Sequence, residues 1–290
     1  MSHRATIALE DAEVLAHEAH PAGQYVLTVR APRAACRAQP GQFAHVAVGD
    51  GILMRRPLSI LGADPDCGSL AFLYKVVGVG TDALSRRTVG EVLSVLAPIG
   101  NPFETHGERP RALLLGGGVG IPPMVFLAAR LRATEGFHPL VLMGSEVPFP
   151  FDLRESRLGV SGVPAETSAA LAVLEDLGVP SRLASLQGYP GCHRGYVTDL
   201  ARAWLDALSP DGRRQVEVFA CGPQPMLEAA ARLARDYDLP CQVSLEEFMA
   251  CAVGGCAGCT VRVETPEGPA MKRVCVDGPV FDARAVFTRS

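Results

Sequence analysis

The sequence predicts an α/β protein that also contains an all-β domain, and three observations support this fold class. Short alternating or β-branched segments, separated by Gly, Pro and Asp, fill roughly the first hundred residues. Buried apolar strands then alternate with helical patterns. The last part of the chain carries four cysteines in a closely spaced group. We therefore expect an N-terminal antiparallel barrel, a Rossmann-like parallel sheet and a small C-terminal subdomain.

The predicted barrel occupies residues 1–105. Residues 24–29, 42–48, 70–77 and 92–96 are short, alternating or β-branched, as strands of a small antiparallel barrel should be. Residues 101–110 are rich in Pro, Gly and charge, so we place the end of the barrel domain within this stretch.

The predicted parallel sheet occupies residues 106–240. Here each apolar run is short enough for a buried strand and is followed by a longer amphipathic pattern, which indicates crossover helices. The strands are expected at 112–115, 139–143 and 216–219, and the helices at 123–132 and 225–237. Residues 241–290 remain as a tail with too little apolar content to fold without a bound centre or a neighbour.

Composition narrows the class of protein. The chain has 290 residues, 48% hydrophobic side chains and a net charge of -4, which offers no basic surface for nucleic acid. Its nine cysteines are an odd number and follow a polar N-terminus, so a secreted disulfide framework is not expected. The richest apolar stretch, residues 112–131, is interrupted by Gly and Pro, which argues against a membrane anchor. We expect a cytoplasmic protein.

The strongest signal for function is the spacing C-x4-C-x2-C followed by one distant cysteine, which is typical of plant-type [2Fe–2S] ligands. The four residues are Cys251, Cys256, Cys259 and Cys275. Gly254, Gly255 and Gly258 allow the loop to fold back and to direct backbone N–H groups at sulfur. Zinc is the alternative, although a structural zinc site more often has two separate close pairs. The pattern favours an electron-transfer centre.

A second candidate site lies where the first parallel strand meets its helix. Residues 113–115 lead directly into Gly116, Gly117, Gly118 and Gly120, and prolines begin the helix. Such a turn lets a phosphate approach the backbone, and the helix N-terminus offers free N–H groups. The alternative is a tight strand–helix turn without a ligand, because Ile121 stands where a strict fingerprint has its last glycine.

A third candidate site lies in the barrel. Arg56 and Ser59 frame the run Arg56-Pro57-Leu58-Ser59, where the cation could hold a pyrophosphate and the hydroxyl could contact a flavin ring. Gly80 and Thr81 offer a glycine turn and a helix-capping hydroxyl. An ordinary strand beside a capped helix remains the alternative.

Taken in order, these segments resemble the ferredoxin-NADP reductase superfamily over nearly the whole chain. Residues 56–59, 80–81, 96–101 and 116–123 carry the resemblance, together with the turn Cys221-Gly222-Pro223. It implies an FAD-binding barrel, with Leu73, Tyr74 and Lys75 added to the flavin contacts, followed by a domain that binds NAD or NADP. It also implies that Cys221, Gly222 and Pro223 lie where hydride passes between nicotinamide and flavin, with Cys221 a lining residue.

The tail is similar to one branch of that superfamily. Residues 244–251 and 272–283 resemble the electron-transfer subunit of the NAD-linked bacterial dihydroorotate dehydrogenases. The resemblance implies a partner subunit with FMN in a (β/α)8 barrel, in a heterotetramer of two copies of each chain. Dihydroorotate would be oxidised there during pyrimidine (UMP) biosynthesis, so this chain would carry no catalytic residue for that oxidation. Electrons would pass through its [2Fe–2S] cluster and FAD to NAD.

Two alternatives to this function stay open on sequence grounds. The chain could serve another NAD(P)H-linked complex, of the ferredoxin:NADP oxidoreductase or sulfhydrogenase type, because the cofactor motifs are shared. It could also be a zinc-stabilised scaffold without redox cofactors. NAD is preferred over NADP because Glu146 follows the second parallel strand, where a carboxylate accepts from a ribose hydroxyl; a solvated loop carboxylate is the alternative.

Overall fold

Six strands near the N-terminus close into an antiparallel barrel in the computed structural model, which describes residues 7–49 and 51–288. Around the barrel the strand order is β1-β2-β5-β4-β3-β6. The strands are β1 (Ala8–His20), β2 (Gln24–Arg30), β3 (Phe43–Val46), β4 (Arg56–Asp64), β5 (Ser69–Lys75) and β6 (Val92–Ile99). Two short helices, α1 (Pro32–Ala35) and α2 (Val79–Ser85), connect them. The predicted N-terminal barrel is confirmed.

Alternation along the strands builds the barrel interior. On β2, Leu27 and Val29 are fully buried while Arg30 is exposed, and on β6 Leu93 and Val95 are buried while Val92 is exposed. Successive side chains of a strand point to opposite faces, so one set fills the barrel and the other faces outward.

The second sheet has six strands in the order β11-β8-β7-β12-β13-β16. Its strands are β7 (Arg111–Gly117), β8 (Leu140–Gly144), β11 (Ser181–Ala184), β12 (Val216–Cys221), β13 (Cys241–Ser244) and β16 (Val280–Asp282). The pairs from β11 to β13 are all parallel, and the crossover helices include α3 (Ile121–Arg132), α5 (Val197–Ala207) and α7 (Gln224–Asp236). The predicted parallel sheet is confirmed.

Smaller elements complete this part of the chain. A two-stranded sheet pairs β9 (Leu153–Glu155) with β10 (Ala169–Leu171), and the remaining helices are α4 (Ala172–Asp176), α6 (Pro210–Arg214) and α8 (Ala283–Val286).

Strand order reverses at the centre of the parallel sheet. From β7 the chain crosses to β8 on one side, whereas β12, which follows later in the chain, lies on the other side of β7. A reversal of this kind opens a crevice at the carboxyl ends of the two central strands, where open α/β sheets bind ligands. Gly116 and Cys221 are directly paired at that edge.

The cysteine-bearing tail contains one antiparallel hairpin, β14 (Thr260–Thr265) paired with β15 (Gly268–Arg273). Its anchor is Asn101, at the end of the barrel: the Asn101 amide donates to the Gly278 carbonyl at 2.6 Å, and Nδ2 donates to the Asp277 carbonyl at 2.9 Å. These two hydrogen bonds, one from the Asn101 backbone and one from its side chain, thus supply part of the attachment that the apolar-poor tail cannot provide by itself.

The chain folds into two compact units. Residues 1–102 and 245–280 form the first, and residues 103–244 and 281–290 form the second. The tail around the cysteines therefore groups with the barrel. The division into three domains at 1–105, 106–240 and 241–290 remains a prediction. No helix in the described part of the chain is long and apolar enough to cross a membrane.

Candidate functional site

The four predicted ligand cysteines lie as two contacting pairs in the first unit. In the first pair, the Cys256 amide donates to the Cys251 sulfur at 3.4 Å, and the two side chains also interact. In the second pair, the Cys275 thiol is hydrogen-bonded to that of Cys259, and both residues are buried. The charge of Cys251 also raises the pKa of Cys275, so the two pairs lie in one site.

Backbone N–H groups surround the first pair. Burial acts to raise the pKa of Cys251, but N–H donors from Val253, Cys256 and Gly255 outweigh it and bring the pKa down to about 6. Burial raises the pKa of Cys275 to about 12, and the neighbouring Cys259 adds to the effect. The loop thus favours thiolate at Cys251, as the ligand of a metal requires.

This arrangement fits a [2Fe–2S] cluster, which binds two cysteines to each of its two irons. One pair joins Cys251 to Cys256, and the other joins Cys259 to Cys275. A mononuclear zinc site gathers all of its ligands around one ion rather than in two pairs. The donor set and its pairing therefore match the cluster.

Arg273 holds the cysteine loop in place. Its Nη1 donates to the Gly254 carbonyl at 3.1 Å, and its amide donates to the Asp277 carboxylate at 2.7 Å. Gly254 has a φ of +82°, and a Cβ atom there would lie 2.6 Å from the Val276 side chain. Arg273 was not predicted to belong to the site, and its place two residues before Cys275 was the available signal.

We expect Cys256→Ser to lose the cluster while retaining FAD and NADH-dependent reduction of a dye, because serine does not supply the thiolate that iron requires. Iron and acid-labile sulfide per chain, measured beside the flavin absorbance, check this result. Cys36→Ser, which changes an exposed thiol in the same unit, is the control. Full iron content in Cys256→Ser would remove Cys256 from the ligand set.

The barrel residues that were predicted to bind phosphate lie close together in the structure. Arg56 lies so close over Gly80 that a Cβ atom at Gly80 would be 2.1 Å from its guanidinium. The Arg56 Nη1 donates only to the carbonyls of Met54 and Arg55 among the described residues. Its remaining donors stand beside the N-terminal turn of α2, which is suited to a phosphate oxygen.

Thr81 shapes this turn from within. Its hydroxyl accepts from the Val77 amide at 2.9 Å and the Gly78 amide at 3.2 Å, and it donates to the Gly78 carbonyl. Because these bonds occupy the hydroxyl, backbone N–H groups of the turn are the donors left for a phosphate. Val77 and Val79 beside the turn are largely exposed apolar side chains, a surface suited to an aromatic ligand.

The other predicted flavin contacts divide by exposure. Pro57, Ser59 and Lys75 are partly exposed, whereas Leu58, Leu73 and Tyr74 are buried. The Tyr74 hydroxyl lies 2.8 Å from His17 Nε2, and the His17 Nδ1 donates to the Arg87 carbonyl at 2.7 Å. Tyr74 also stacks on Tyr25, and burial raises its pKa. The Tyr74 hydroxyl is therefore anchored in the barrel wall, and its contact with the flavin stays a prediction.

We expect Arg56→Ala to weaken FAD binding by about 1.5–3 kcal/mol, the usual contribution of a charge-assisted hydrogen bond. Titration of the flavin-free chain with FAD, followed by flavin fluorescence, measures the change in Kd. Arg30→Ala is the matched control, because Arg30 forms an exposed ion pair with Glu13 in the same barrel. Equal affinities for Arg56→Ala and the unaltered chain would exclude Arg56 from the flavin site.

The glycine turn of the second unit packs against the Cys-Gly-Pro turn. A Cβ atom at Gly120 would lie 2.4 Å from the carbonyl of Cys221, and one at Gly117 would lie 3.2 Å from Pro223. A Cβ atom at Gly222, whose φ is +156°, would lie 3.1 Å from the Gly117 backbone. Two turns distant in sequence thus form one wall at the carboxyl edge of β7 and β12.

Space for a ligand remains beside this wall. A Cβ atom at Gly118 would meet nothing within 4 Å, and its φ is +54°. Gly116 contacts Ile121 at the start of α3. Helix α3 begins with Ile121-Pro122-Pro123, so the partly exposed backbone at Gly118 precedes a helix N-terminus, the position used for pyrophosphate. Cys221 is fully buried, which suits a lining residue and not a nucleophile.

Glu146 lies in the same unit and is exposed. Its carboxylate accepts from Gln187 Nε2 at 3.3 Å. This contact ties the loop after β8 to the loop after β11, at the edge where a nucleotide ribose is expected.

Comparison with known proteins agrees with this geometry. A family model described as the iron-sulfur cluster binding domain of dihydroorotate dehydrogenase B matches residues 246–287, which contain all four paired cysteines. Among solved structures, that of an NADH-dependent reduced ferredoxin-NADP oxidoreductase aligns with a TM-score of 0.76 and 25% identity, covering 96% of this chain and 90% of that one. The ferredoxin reductase of carbazole 1,9a-dioxygenase aligns with a TM-score of 0.62 at 22% identity, covering 81% and 67%, and shares the fold.

Two relatives are named dihydroorotate dehydrogenase B (NAD(+)), electron transfer subunit. The protein of Bacillus mycoides (strain KBAB4) is 34% identical over 249 residues, 83% of this chain and 84% of its own length. That of Geobacillus sp. (strain WCH70) is 35% identical over 254 residues, 85% and 86% of the two chains. With the barrel, the parallel sheet and the paired cysteines all in place, this chain belongs to the family of dihydroorotate dehydrogenase B electron transfer subunits.

Proposed function

We propose that this chain transfers electrons between NAD and a dihydroorotate-oxidising partner subunit, through an FAD in its barrel and a [2Fe–2S] cluster in its tail. It is an NAD-linked flavin and iron–sulfur oxidoreductase subunit. The observation that carries the proposal is the pairing of Cys251 with Cys256 and of Cys259 with Cys275, in the same compact unit as the barrel.

The chain's own residues have defined tasks in this function. Arg56 and the turn before α2 bind the FAD phosphates, and Ser59 on β4 is placed to contact the flavin ring. The turn at Gly117 and Gly120 binds the NAD pyrophosphate. The cysteine pairs hold the cluster, and Arg273 fixes their loop. When bound, FAD exchanges two electrons with NAD and single electrons with the cluster, which links a hydride donor to a one-electron carrier.

The substrate is oxidised elsewhere. A (β/α)8 barrel needs about 250 residues of its own. The described residues form a six-stranded antiparallel barrel, a parallel sheet and the cysteine-bearing tail instead. We therefore place dihydroorotate oxidation on an FMN-containing catalytic subunit, in a heterotetramer of two copies of each chain, in the cytoplasm and within pyrimidine biosynthesis. With the cluster held by the cysteine pairs and FAD held by the barrel, electrons would pass from that FMN to NAD through this chain. Glu146 supports NAD over NADP, because a carboxylate would repel a 2′-phosphate.

The test combines the loaded chain with an FMN-loaded catalytic subunit of a dihydroorotate dehydrogenase B. Reduction of NAD by dihydroorotate, followed at the NADH absorbance, should appear only in the mixture. Cys256→Ser in the same mixture should abolish it, since its FAD is then cut off from the partner. A mixture that reduces no NAD, although each chain carries its cofactors, would overturn the proposal.

A second function is favoured by one observation, the structural alignment with the reduced ferredoxin-NADP oxidoreductase. The same loaded chain, given that type of partner and reduced ferredoxin in place of dihydroorotate, would then reduce NADP. Failure with dihydroorotate together with success here would select this alternative.

A further inference from the structure

The His45 side chain on β3 is buried although it lies on the outer face of the barrel. On the neighbouring strand β4, Leu58 and Ile60 point into the barrel, whereas Pro57 points outward. His45 is paired directly with Pro57, and residues opposite each other in an antiparallel pair share a face. His45 therefore points out of the barrel, yet it is only 1% exposed.

The cysteine-bearing tail covers this outer face. The backbone of Met249, two residues before Cys251, lies close enough to His45 to favour the protonated imidazole. Residues 245–280 belong to the same compact unit as the barrel. His45 is thus enclosed between the strand that carries Arg56 to Ser59 and the segment that leads into the cysteine loop.

Neither ring nitrogen of His45 meets a partner at full hydrogen-bond distance and angle in the described part of the chain, although the backbone of Met249 and that of Arg55 lie near the ring. A buried polar group without a partner lowers stability, and native proteins rarely retain one without a reason. Leucine would fill the same position at no such cost. The retained imidazole therefore points to a partner that joins the site when the cofactors are bound.

Arg55 fixes the peptide of His45. Its Nη1 donates to the His45 carbonyl at 3.1 Å and to the Ser94 carbonyl at 2.7 Å, which joins β3 to β6 at this point. Burial, together with the Arg55 charge, lowers the pKa of His45 to about 4. The imidazole is therefore neutral near pH 7, with one nitrogen that donates and one that accepts.

We propose that His45 is a positioning residue that ties the flavin strand β4 to the segment before Cys251 and sets the approach of the cluster to the flavin. In the loaded protein one ring nitrogen binds the Met249 backbone, and the other binds a polar atom of the flavin site or a water held there. This inference rests on the proposed function, since it concerns electron transfer between the two centres.

The test uses the chain loaded with FAD and cluster, with His45→Leu and His45→Gln compared with the unaltered protein. Rapid mixing with NADH, followed at the flavin and cluster absorbances, gives the rates of flavin reduction and of cluster reduction separately. Electron paramagnetic resonance of the reduced cluster reports its surroundings. His20→Leu is the matched control, because the Nε2 of His20 in the same barrel also lacks a partner.

We expect His45→Leu to reduce its flavin at the normal rate but its cluster about 10- to 100-fold more slowly, the usual loss when an outer-shell group is removed. The cluster resonance should shift, and His45→Gln, which retains a donor and an acceptor, should recover part of the rate. His20→Leu should match the unaltered protein. Loss of cluster in both His45 variants with flavin retained would also support the proposal.

A normal rate of cluster reduction together with an unchanged cluster resonance in His45→Leu would overturn the proposed role of His45. So would loss of flavin together with the cluster in both variants, since His45 would then be a general core residue. Failure of the proposed function is a separate outcome: the unaltered protein itself would then not pass electrons from NADH to its cluster.

Discussion

Replacing Gly100 with alanine is expected to detach the cysteine-bearing tail from the barrel and to abolish cluster binding. A Cβ atom at Gly100 would lie 2.3 Å from Pro279 Cδ and 2.9 Å from the Gly278 carbonyl oxygen. The next residue, Asn101, donates its amide to that same carbonyl. The new methyl group therefore pushes apart the two segments that this hydrogen bond joins.

Two separate effects lower the stability of the protein when alanine replaces Gly100. Its φ is +89°, a left-handed conformation that costs an L-residue about 1–2 kcal/mol. Overlap with a closely packed neighbour adds about 1–3 kcal/mol. Neither contact can move aside easily, because one is a proline ring and the other is backbone. Cys275 lies four residues before Pro279, so displacement of this segment moves a predicted ligand cysteine out of place.

Gly90→Ala separates these two costs. Gly90 has a φ of +90°, yet a Cβ atom there would meet nothing within 4 Å. The control carries the backbone strain alone, so the difference between the two variants measures the overlap with Pro279. Iron content, flavin content and thermal unfolding are measured for both. If Gly100→Ala keeps its full iron content and unfolds at the same temperature as Gly90→Ala, the tail does not pack on the barrel as described.

The cysteine site was largely predictable from sequence because its chemistry is local. The spacing of Cys251, Cys256 and Cys259 fixes which sulfurs a short loop can bring together, and the glycines between them allow N–H groups to face sulfur. The distant Cys275 completed the ligand spacing, and the run around it also carried the resemblance. Its pairing with Cys259 depends on β14 and β15, which the sequence analysis did not identify as a hairpin.

Strands with weak apolar patterns were missed. Residues 8–20 form the longest strand of the barrel, but its inward side is built largely from alanine, with Ala8 and Ala12 buried beside Val14. Acidic residues occupy much of the outward side. A run with small inward residues has little alternation in hydropathy, so it resembles a polar N-terminal segment until its partners β2 and β6 are known.

Contacts between distant segments explain the rest of what sequence did not predict. The run at residues 96–101 and the run after Cys275 were each noted as parts of a resemblance, yet nothing local indicates that Asn101 binds Asp277 and Gly278. The enclosure of His45 by the tail is of the same kind. Such contacts depend on which distant segment covers a face, which a period of two along one strand cannot specify.

Replacing Gly120 with alanine is expected to slow NADH oxidation roughly 100-fold while leaving the flavin and the cluster in place. A Cβ atom at Gly120 would lie 2.4 Å from the Cys221 carbonyl carbon and oxygen and from the Gly222 amide nitrogen. All three are backbone atoms at the end of a central strand. Gly120 has a φ of -84°, so the effect comes from this overlap and not from backbone strain.

The expected loss is large because the overlap separates the two turns that together form the proposed nicotinamide wall. A misplacement of about 1 Å at a site that positions reactants can reduce the rate roughly 100-fold. Stability should fall by about 1–3 kcal/mol, as for other over-packed interiors. Ferricyanide reduction by NADH gives the rate, and reduction of the cluster by dithionite shows that the first unit is intact.

Gly159→Ala is the control for Gly120→Ala. Gly159 lies in the same unit, is exposed and has open space where a Cβ atom would stand. Its variant should oxidise NADH at the normal rate. A Gly120→Ala protein that binds and oxidises NADH normally would show that the turns at residues 116–120 and 221–223 are not packed together in solution. The nucleotide site would then have to be assigned to other residues of the second unit.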